Sequence, residues 1–321
     1  MKSENQNQSK PILMADLKPN QLANEFWELV LFPEYGCYWK TLRIFFRGKW
    51  IDLLKPLFGE IPPYHFGSYA MAPWSNRIVD AVFEFEGRTY QLRKNASDDT
   101  AMHGDSRTRS WAVTALTKDR FEAVLDSRQI PDFNFPFALK MKQIFELKKN
   151  HLKMSFSIEN LDSKRAPVGG GFHPFFKRRL TEADEDVALV LPARKIYPDV
   201  KCIPTGPAEP VEGRFDLRKE RLLGAPNLDH CFTDLTAHTI RIFYPGSQLE
   251  LKYQIEPVFS HVVIYAPNEA DGNPRDFVAV EPVTHVNNGF NFLAQGWKGT
   301  GVKILEPGQT WGGSCELSYS E

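Results

Sequence analysis

Residues 139–158 read LKMKQIFELKKNHLKMSFSI, and their spacing decides the fold. Leu139, Met141, Phe145 and Leu147 share one parity, as do Leu152, Met154, Phe156 and Ile158 beyond the polar pair Lys149-Asn150. A spacing of two puts side chains on one face of a strand, whereas a helix needs three to four. Two such runs joined by two polar residues predict a hairpin.

Outward from this hairpin the same period recurs. Towards the N-terminus, residues 26–32 stop at Pro33, 39–46 run to Arg47-Gly48, and 81–85 turn at Glu86-Gly87 into 89–92. Trp111, Val113 and Ala115 alternate, then Lys118-Asp119 turns the chain into Phe121, Ala123 and Leu125. Towards the C-terminus, strands are expected at 187–191, 239–244, 249–255, 261–265, 277–281, 302–305 and 315–319. Helical periodicity is scarce, with residues 19–29 the one weak candidate. No fixed-period repeat and no βαβ alternation interrupts the pattern. Punctuated by 23 prolines and 21 glycines, it predicts an all-β fold, one large antiparallel β-sandwich over residues 21–321. Residues 1–20 read as a polar, mobile leader.

Composition excludes several function classes. Lys and Arg number 39 against 40 Asp and Glu, with no single-sign run suited to nucleic acid or a membrane surface. No apolar stretch approaches a membrane span, and no apolar segment follows the first ten residues as in a secretory signal. A cytoplasmic protein is expected. Cys37, Cys202, Cys231 and Cys315 stand alone in the sequence, so neither a zinc knuckle nor a disulfide framework is indicated. Aromatics make up 13% of the residues, which suits β-structure and a pocket lined by ring faces.

Five clusters carry residue types suited to chemistry. Gly169-Gly170-Gly171-Phe172-His173-Pro174-Phe175-Phe176 sets one histidine between a backbone freed by glycine and one fixed by proline. Taken alone, it reads equally as a tight turn with a half-buried histidine. Asn76 and Arg77 stand side by side in Pro73-Trp74-Ser75-Asn76-Arg77-Ile78, and His103 lies in the polar stretch Met102-His103-Gly104-Asp105. Asp229 follows a Gly/Pro-rich loop, in Pro226-Asn227-Leu228-Asp229-His230. Singly, Arg77 is explained by a surface ion pair, Asn76 by a turn cap, His103 by a loop and Asp229 by an Asx-turn. Glu281, followed by Pro282, Thr284 and His285, resists that treatment. It ends the apolar run 277–280, where a carboxylate is costly to bury without a partner or a function.

One histidine and one such glutamate suggest a reaction with no metal and no nucleophile. Unperturbed, they titrate near about 6.5 and about 4.3, so near neutrality one gives a proton while the other takes one. That is bifunctional acid–base catalysis, each partner worth roughly 10²–10⁴-fold.

In their order along the chain these motifs resemble the aldose 1-epimerases (galactose mutarotases). The matching pieces are N-R-I at 76–78, H-G at 103–104, G-x-H-P-F-F around His173, L-D-H at 228–230 and V-E-P at 280–282. The resemblance runs from Phe32-Pro-Glu-Tyr-Gly36 to Leu305-Glu-Pro-Gly308 and the closing strand. It implies the galactose mutarotase-like β-sandwich. It implies that His173 is the general acid on the sugar ring oxygen and Glu281 the general base on the C1 hydroxyl. The ring would open to the aldehyde, rotate about C1–C2 and close as the other anomer of a galactose- or glucose-like hexose. Arg77, His103 and Asp229 would bind the sugar, with Asn76 assisting. The implied partner is a small free sugar, with no cofactor, no metal, no nucleic acid and no membrane, and the expected assembly is a monomer or homodimer. Trp74, Phe175 and Phe176 are either faces for the sugar's C–H edges or core.

Two departures concern substrate contacts. Many family members follow the glutamate with Pro-Asp, whereas this chain has Glu281-Pro-Val-Thr-His285-Val-Asn-Asn288. A glutamine common two residues before the tyrosine matched by Tyr265 is replaced by Val263. Rival readings are a hexose-6-phosphate mutarotase using Lys177-Arg178-Arg179, a non-catalytic sugar binder, and a glycoside hydrolase using Asp229 and Glu281. The weakest is a metal hydrolase on His103, His173 and His285. The acid–base reading predicts a bell-shaped pH profile, Glu281 on the acid limb and His173 on the basic limb.

Overall fold

A computed structural model describes residues 17–56 and 67–320. The central hairpin forms as the sequence predicts, from strands Leu139–Lys148 and His151–Asn160, in register from Leu139↔Asn160 to Lys148↔His151. Its apolar parity faces inward: Leu139, Met141, Phe145, Leu147, Leu152, Met154, Phe156 and Ile158 are all buried. Lys149 takes a φ of +53° in the turn. This hairpin lies in a nine-stranded sheet. On one side of it are Arg120–Asp126 and Ala112–Leu116; on the other, Thr310–Ser320, Leu249–Ile255 and Thr239–Tyr244. Short strands Ala188–Val190 and Arg221–Leu222 finish that edge.

A second, eight-stranded sheet runs through Ala193–Ile196, Leu228–Leu235, His261–Ala266, Phe277–Val283, Gly171–Phe172 and Ala70–Met71. Glu209–Pro210 lies at one edge, and Phe175–Lys177 also pairs with Phe277–Val283. All the pairings between named strands are antiparallel. The two sheets meet through aromatic rings. Phe172 of the second lies 6.0 Å from Phe156 of the first, with Trp39 and Phe259 beside it. Each such ring, fully withdrawn from water, contributes about 1.5–3 kcal/mol. The result is the large antiparallel β-sandwich the sequence predicts.

The buried strand Phe277–Val283 shows why the second sheet can carry a site. Val278 and Val280 join the inter-sheet core, while Phe277, Ala279 and Val283 belong to a separate cluster on the opposite face. Glu281 shares the parity of that second set. The same division holds next door. Val262, Ile264 and Phe232 face the core; Val263, Tyr265 and Cys231 face the other way. Phe176 packs in the core and Phe175 on the site face. A run that is apolar throughout is therefore two half-faces, one packed between the sheets and one on the opposite side of the second sheet.

Three expectations need correction. Residues 19–29 are not helical but form strands Asn20–Ala23 and Trp27–Phe32. Asn24 Oδ1 accepts from the amides of Phe26 and Trp27 at 2.8 Å each, making the turn between them. Trp27, Leu29 and Leu31 then bury with a period of two. Of the leader, residues 1–16 lie outside the described residues, and Asn20 already belongs to a strand. Val113 is 40% exposed rather than inward-facing, because Ala112–Leu116 is an edge strand whose pairing shifts between Val113 and Ala115. One short helix, Gly289–Ala294, has no counterpart in the sequence reading.

Candidate active site

On the outer face of the second sheet lies a cavity of about 200 Å³. It is lined by Tyr69, Asn76, Arg77, Met102, His103, His173, Phe175, Asp229, Tyr265 and Glu281. All six residues singled out in the sequence are among them. They arrive from separate parts of the chain. Glu281 and Asp229 come from sheet strands, His173 from the link between Gly171–Phe172 and Phe175–Lys177, and Asn76, Arg77 and His103 from the paired segments Arg77–Ile78 and Ala101–Met102 and their flanks.

At the floor, His173 Nε2 stands 3.2 Å from Glu281 Oε1, and both residues are almost fully buried. The imidazole stacks on Phe175, ring centres 4.4 Å apart at 20°, and its backbone N–H donates to Tyr69 O at 3.0 Å. His173 Nδ1 and Glu281 Oε2 are buried without a protein partner. An unpartnered buried polar atom is costly in a folded protein, and two of them on adjacent groups make a place suited to a polar ligand. Burial pushes the Glu281 carboxyl well above the usual carboxylate range, with Asp229 adding to the rise. Burial, helped by the Arg107 guanidinium, pulls His173 down to about 3. Both environments disfavour charge, so the pair holds a single proton between its two members.

The walls are hydrogen-bonding groups held in strained backbone. Asn76 and His103 have φ of +49° and +61°. Each fixes the other: the Asn76 amide donates to His103 Nδ1 at 3.2 Å, and the His103 amide to Asn76 O at 2.8 Å. Asn76 Oδ1 accepts from the Arg77 amide at 2.9 Å. Arg77 Nε pairs with Asp98 at 2.7 Å while its side chain still lines the cavity, so the ion pair and the site are the same residue. Asp229 makes no Asx-turn; its Oδ2 accepts from Cys202 Sγ at 2.8 Å.

The open alternatives resolve. Phe175 lines the cavity, whereas Trp74 and Phe176 are fully buried elsewhere, Trp74 donating to Ala101 O and stacking on Phe135. His285 is no part of the cavity lining: Nε2 accepts from the Ser75 amide at 3.0 Å and Nδ1 lies 2.8 Å from Val286 O. The three glycines permit close approach, but of the protein to itself. A Cβ at Gly169, Gly170 or Gly171 would meet His285 Cδ2 at 2.1 Å, Met71 O at 2.6 Å or Pro282 O at 2.3 Å. Tyr69, Met102 and Tyr265 went unselected in the sequence as lining residues. Tyr265 was reachable, since it lies directly across the ladder from Asp229; Tyr69 carries no sequence signal.

A profile of the aldose 1-epimerase family matches residues 62–318. The chain belongs to the aldose 1-epimerase family. Its relatives include the uncharacterized protein YihR of Escherichia coli, 28% identical over 256 residues, 78% of each chain. Two solved structures share the epimerase-type fold. A galactose mutarotase-like protein from Clostridium acetobutylicum superposes with a TM-score of 0.81 at 21% identity, covering 97% of both chains. The galactose 1-epimerase of Lactobacillus acidophilus does so with a TM-score of 0.72 at 17% identity, covering 95% of this chain and 99% of its own. Among the described residues no helix is long and apolar enough to cross a membrane.

Proposed function

We propose that this protein is an aldose 1-epimerase that interconverts the α and β anomers of a free aldohexose of the galactose or glucose type, in the cytoplasm. The contact that carries the reading is His173 Nε2 to Glu281 Oε1 at 3.2 Å on the cavity floor, with a spare buried atom on each group. The ring oxygen and the anomeric hydroxyl of a hexose share one carbon. A donor and an acceptor a hydrogen bond apart therefore reach both at once.

In the form of the pair that carries its one proton on His173, Glu281 takes the proton of the C1 hydroxyl while His173 gives one to the ring oxygen, and the C1–O5 bond breaks to leave an aldehyde and a C5 hydroxyl. The aldehyde turns about C1–C2. The C5 hydroxyl then adds to its other face, returning one proton to His173 while the new C1 oxygen takes one from Glu281. No atom is gained or lost, and the pair ends with the one proton it began with. Arg77, His103, Asn76 and Asp229 hold the hydroxyls, and Phe175 presents a ring face. Acceleration of the optical-rotation change of fresh α-galactose or α-glucose tests the reading; a pure protein that leaves that rate unchanged defeats it.

The basic run offered for a phosphorylated substrate is engaged elsewhere. Arg178 bonds Asp186 at 2.7 Å, and Lys177, Arg178 and Arg179 line a different cavity, of about 440 Å³. Glucose 6-phosphate should be turned over more slowly than the free sugar. Arg77→Ala should raise KM about tenfold or more, the worth of a charge-assisted hydrogen bond, while its partly exposed pair with Asp98 adds little to stability. Steady-state kinetics and a melting curve on the same sample separate the two.

The pH profile should be bell-shaped, with its limbs assigned in the reverse of the order expected from unperturbed groups. Activity requires the singly protonated pair. A second proton arrives only as pH falls towards the depressed His173, about 3, and the shared proton leaves only at the raised value of Glu281. The plateau of kcat/KM should therefore extend well below pH 6. An acid limb at the ordinary histidine value would contradict this assignment.

A further inference from the structure

Among the described residues, the hairpin turns Arg47-Gly48, Glu86-Gly87 and Lys201-Cys202 have both central residues at positive φ: +47° and +78°, +50° and +72°, +51° and +67°. Glycine takes the second position in two of them, as such turns prefer. Cysteine takes it in the third. A side chain held there is strained, and strain of this kind persists where the surrounding structure fixes it for a purpose.

The surroundings fix it from several sides. The Cys202 amide donates to Asp199 Oδ1 at 3.2 Å, and Asp199 Oδ2 is paired with His230 Nδ1 at 2.5 Å, next to Asp229 in sequence. Cys202 O accepts from Asn287 Nδ2 at 2.7 Å. Asn287 lies in the segment between the strand Phe277–Val283, which carries Glu281, and the helix Gly289–Ala294. So held, Cys202 is 7% exposed and aims Sγ at Asp229 Oδ2, 2.8 Å away. Burial, with Asp229 beside it, keeps the thiol protonated far above its usual range, so it is a hydrogen-bond donor and not a nucleophile.

We propose that Cys202 is a positioning residue for the sugar: its thiol engages Oδ2 of Asp229 and leaves Oδ1 as the acceptor presented to one substrate hydroxyl. The proposal rests on the epimerase reading of the cavity. It adds a residue that touches no substrate yet sets which carboxylate oxygen reads it. Burial raises the Asp229 pKa and the thiol hydrogen bond opposes that rise, so losing the thiol also weakens sugar binding more at low pH.

Three variants separate positioning from turn structure. In mutarotation assays on galactose and glucose, Cys202→Ala and Cys202→Gly should raise KM about 5- to 10-fold with kcat within about 2-fold, the pattern of lost substrate binding. Cys202→Gly relieves the turn and should melt no lower than wild type. Cys202→Ser keeps a donor and should hold KM within about 2-fold of wild type. A Cys202→Gly protein with wild-type KM overturns the proposal, and so does a Cys202→Ser protein as impaired as Cys202→Ala. A fall in kcat that simply follows the melting temperature overturns it too. A wild-type protein without mutarotase activity defeats the epimerase reading instead. Hexose affinity by calorimetry then replaces KM, and equal affinity in wild type and Cys202→Gly, absence of binding included, overturns the role of Cys202.

Discussion

His173→Ala and Glu281→Gln are each expected to lower kcat/KM for mutarotation at least about 100-fold, or ~3 kcal/mol of barrier. The reason is geometric. Each group is the other's neighbour at 3.2 Å, and each has one unpartnered atom to offer a sugar. The Gln replacement keeps shape and hydrogen bonding but cannot accept a proton. Because the two act as one proton-sharing unit, the double variant should be little worse than the poorer single. Melting curves on the same samples guard against reading lost fold as lost chemistry. A near-wild-type rate in either single variant would sink the mechanism.

Between pH 7 and pH 5 the protein should lose about 4 kcal/mol of stability through His261 and His285 alone. Burial holds these imidazoles neutral, at about 3 and about 4 against an ordinary 6.5. Their surroundings supply hydrogen bonds but no counter-charge. His261 contacts Ser260 Oγ and the Tyr197 hydroxyl, and His285 contacts the backbone of Ser75 and Val286. With folded values below the unfolded one, the unfolded chain binds more protons throughout this window. Stability is then fully present above about pH 6.5 and lost as pH falls below it, by roughly 2 kcal/mol per histidine at pH 5. His103, also depressed mainly by burial, acts in the same direction. The His173–Glu281 pair opposes this by less than about 1 kcal/mol: folded it keeps about one proton throughout, whereas unfolded it gains most of one between pH 7 and pH 5. Urea midpoints at pH 7.5, 6 and 5 measure the effect; a midpoint that does not move across that range contradicts it.

The fold was legible because most of its strands have one wet face, and a wet face writes a period of two into the sequence. Residues 239–244 and 249–255 are observed with the bounds expected of them. Legibility failed where something other than burial sets the residue type. The strand Leu228–Leu235 places Asp229 at the cavity and His230 against Asp199, so its polar residues mask the alternation and it reads as the end of a loop. The apparent helix at 19–29 failed because one asparagine side chain captures two amides, a choice no periodicity records. In the cavity, Glu281 was legible as a carboxylate at the end of an apolar run. Cys202 was not: its meaning lies in a turn angle and in a carboxylate 27 residues away.

The cavity is built from two kinds of backbone. Glu281 sits in a strand that is buried along its whole length, and His173 is gripped by strands on both sides. Asn76, His103 and Cys202 instead ride on turns at positive φ, and Arg77 and Asp229 are only half-buried. On the proposed epimerase reading, reactivity and recognition therefore occupy parts of the molecule that can change independently. A directed-evolution library confined to positions 76, 77, 103, 202 and 229 should redirect the proposed epimerase activity to new sugars, whereas one that includes 173 or 281 should yield mostly inactive clones.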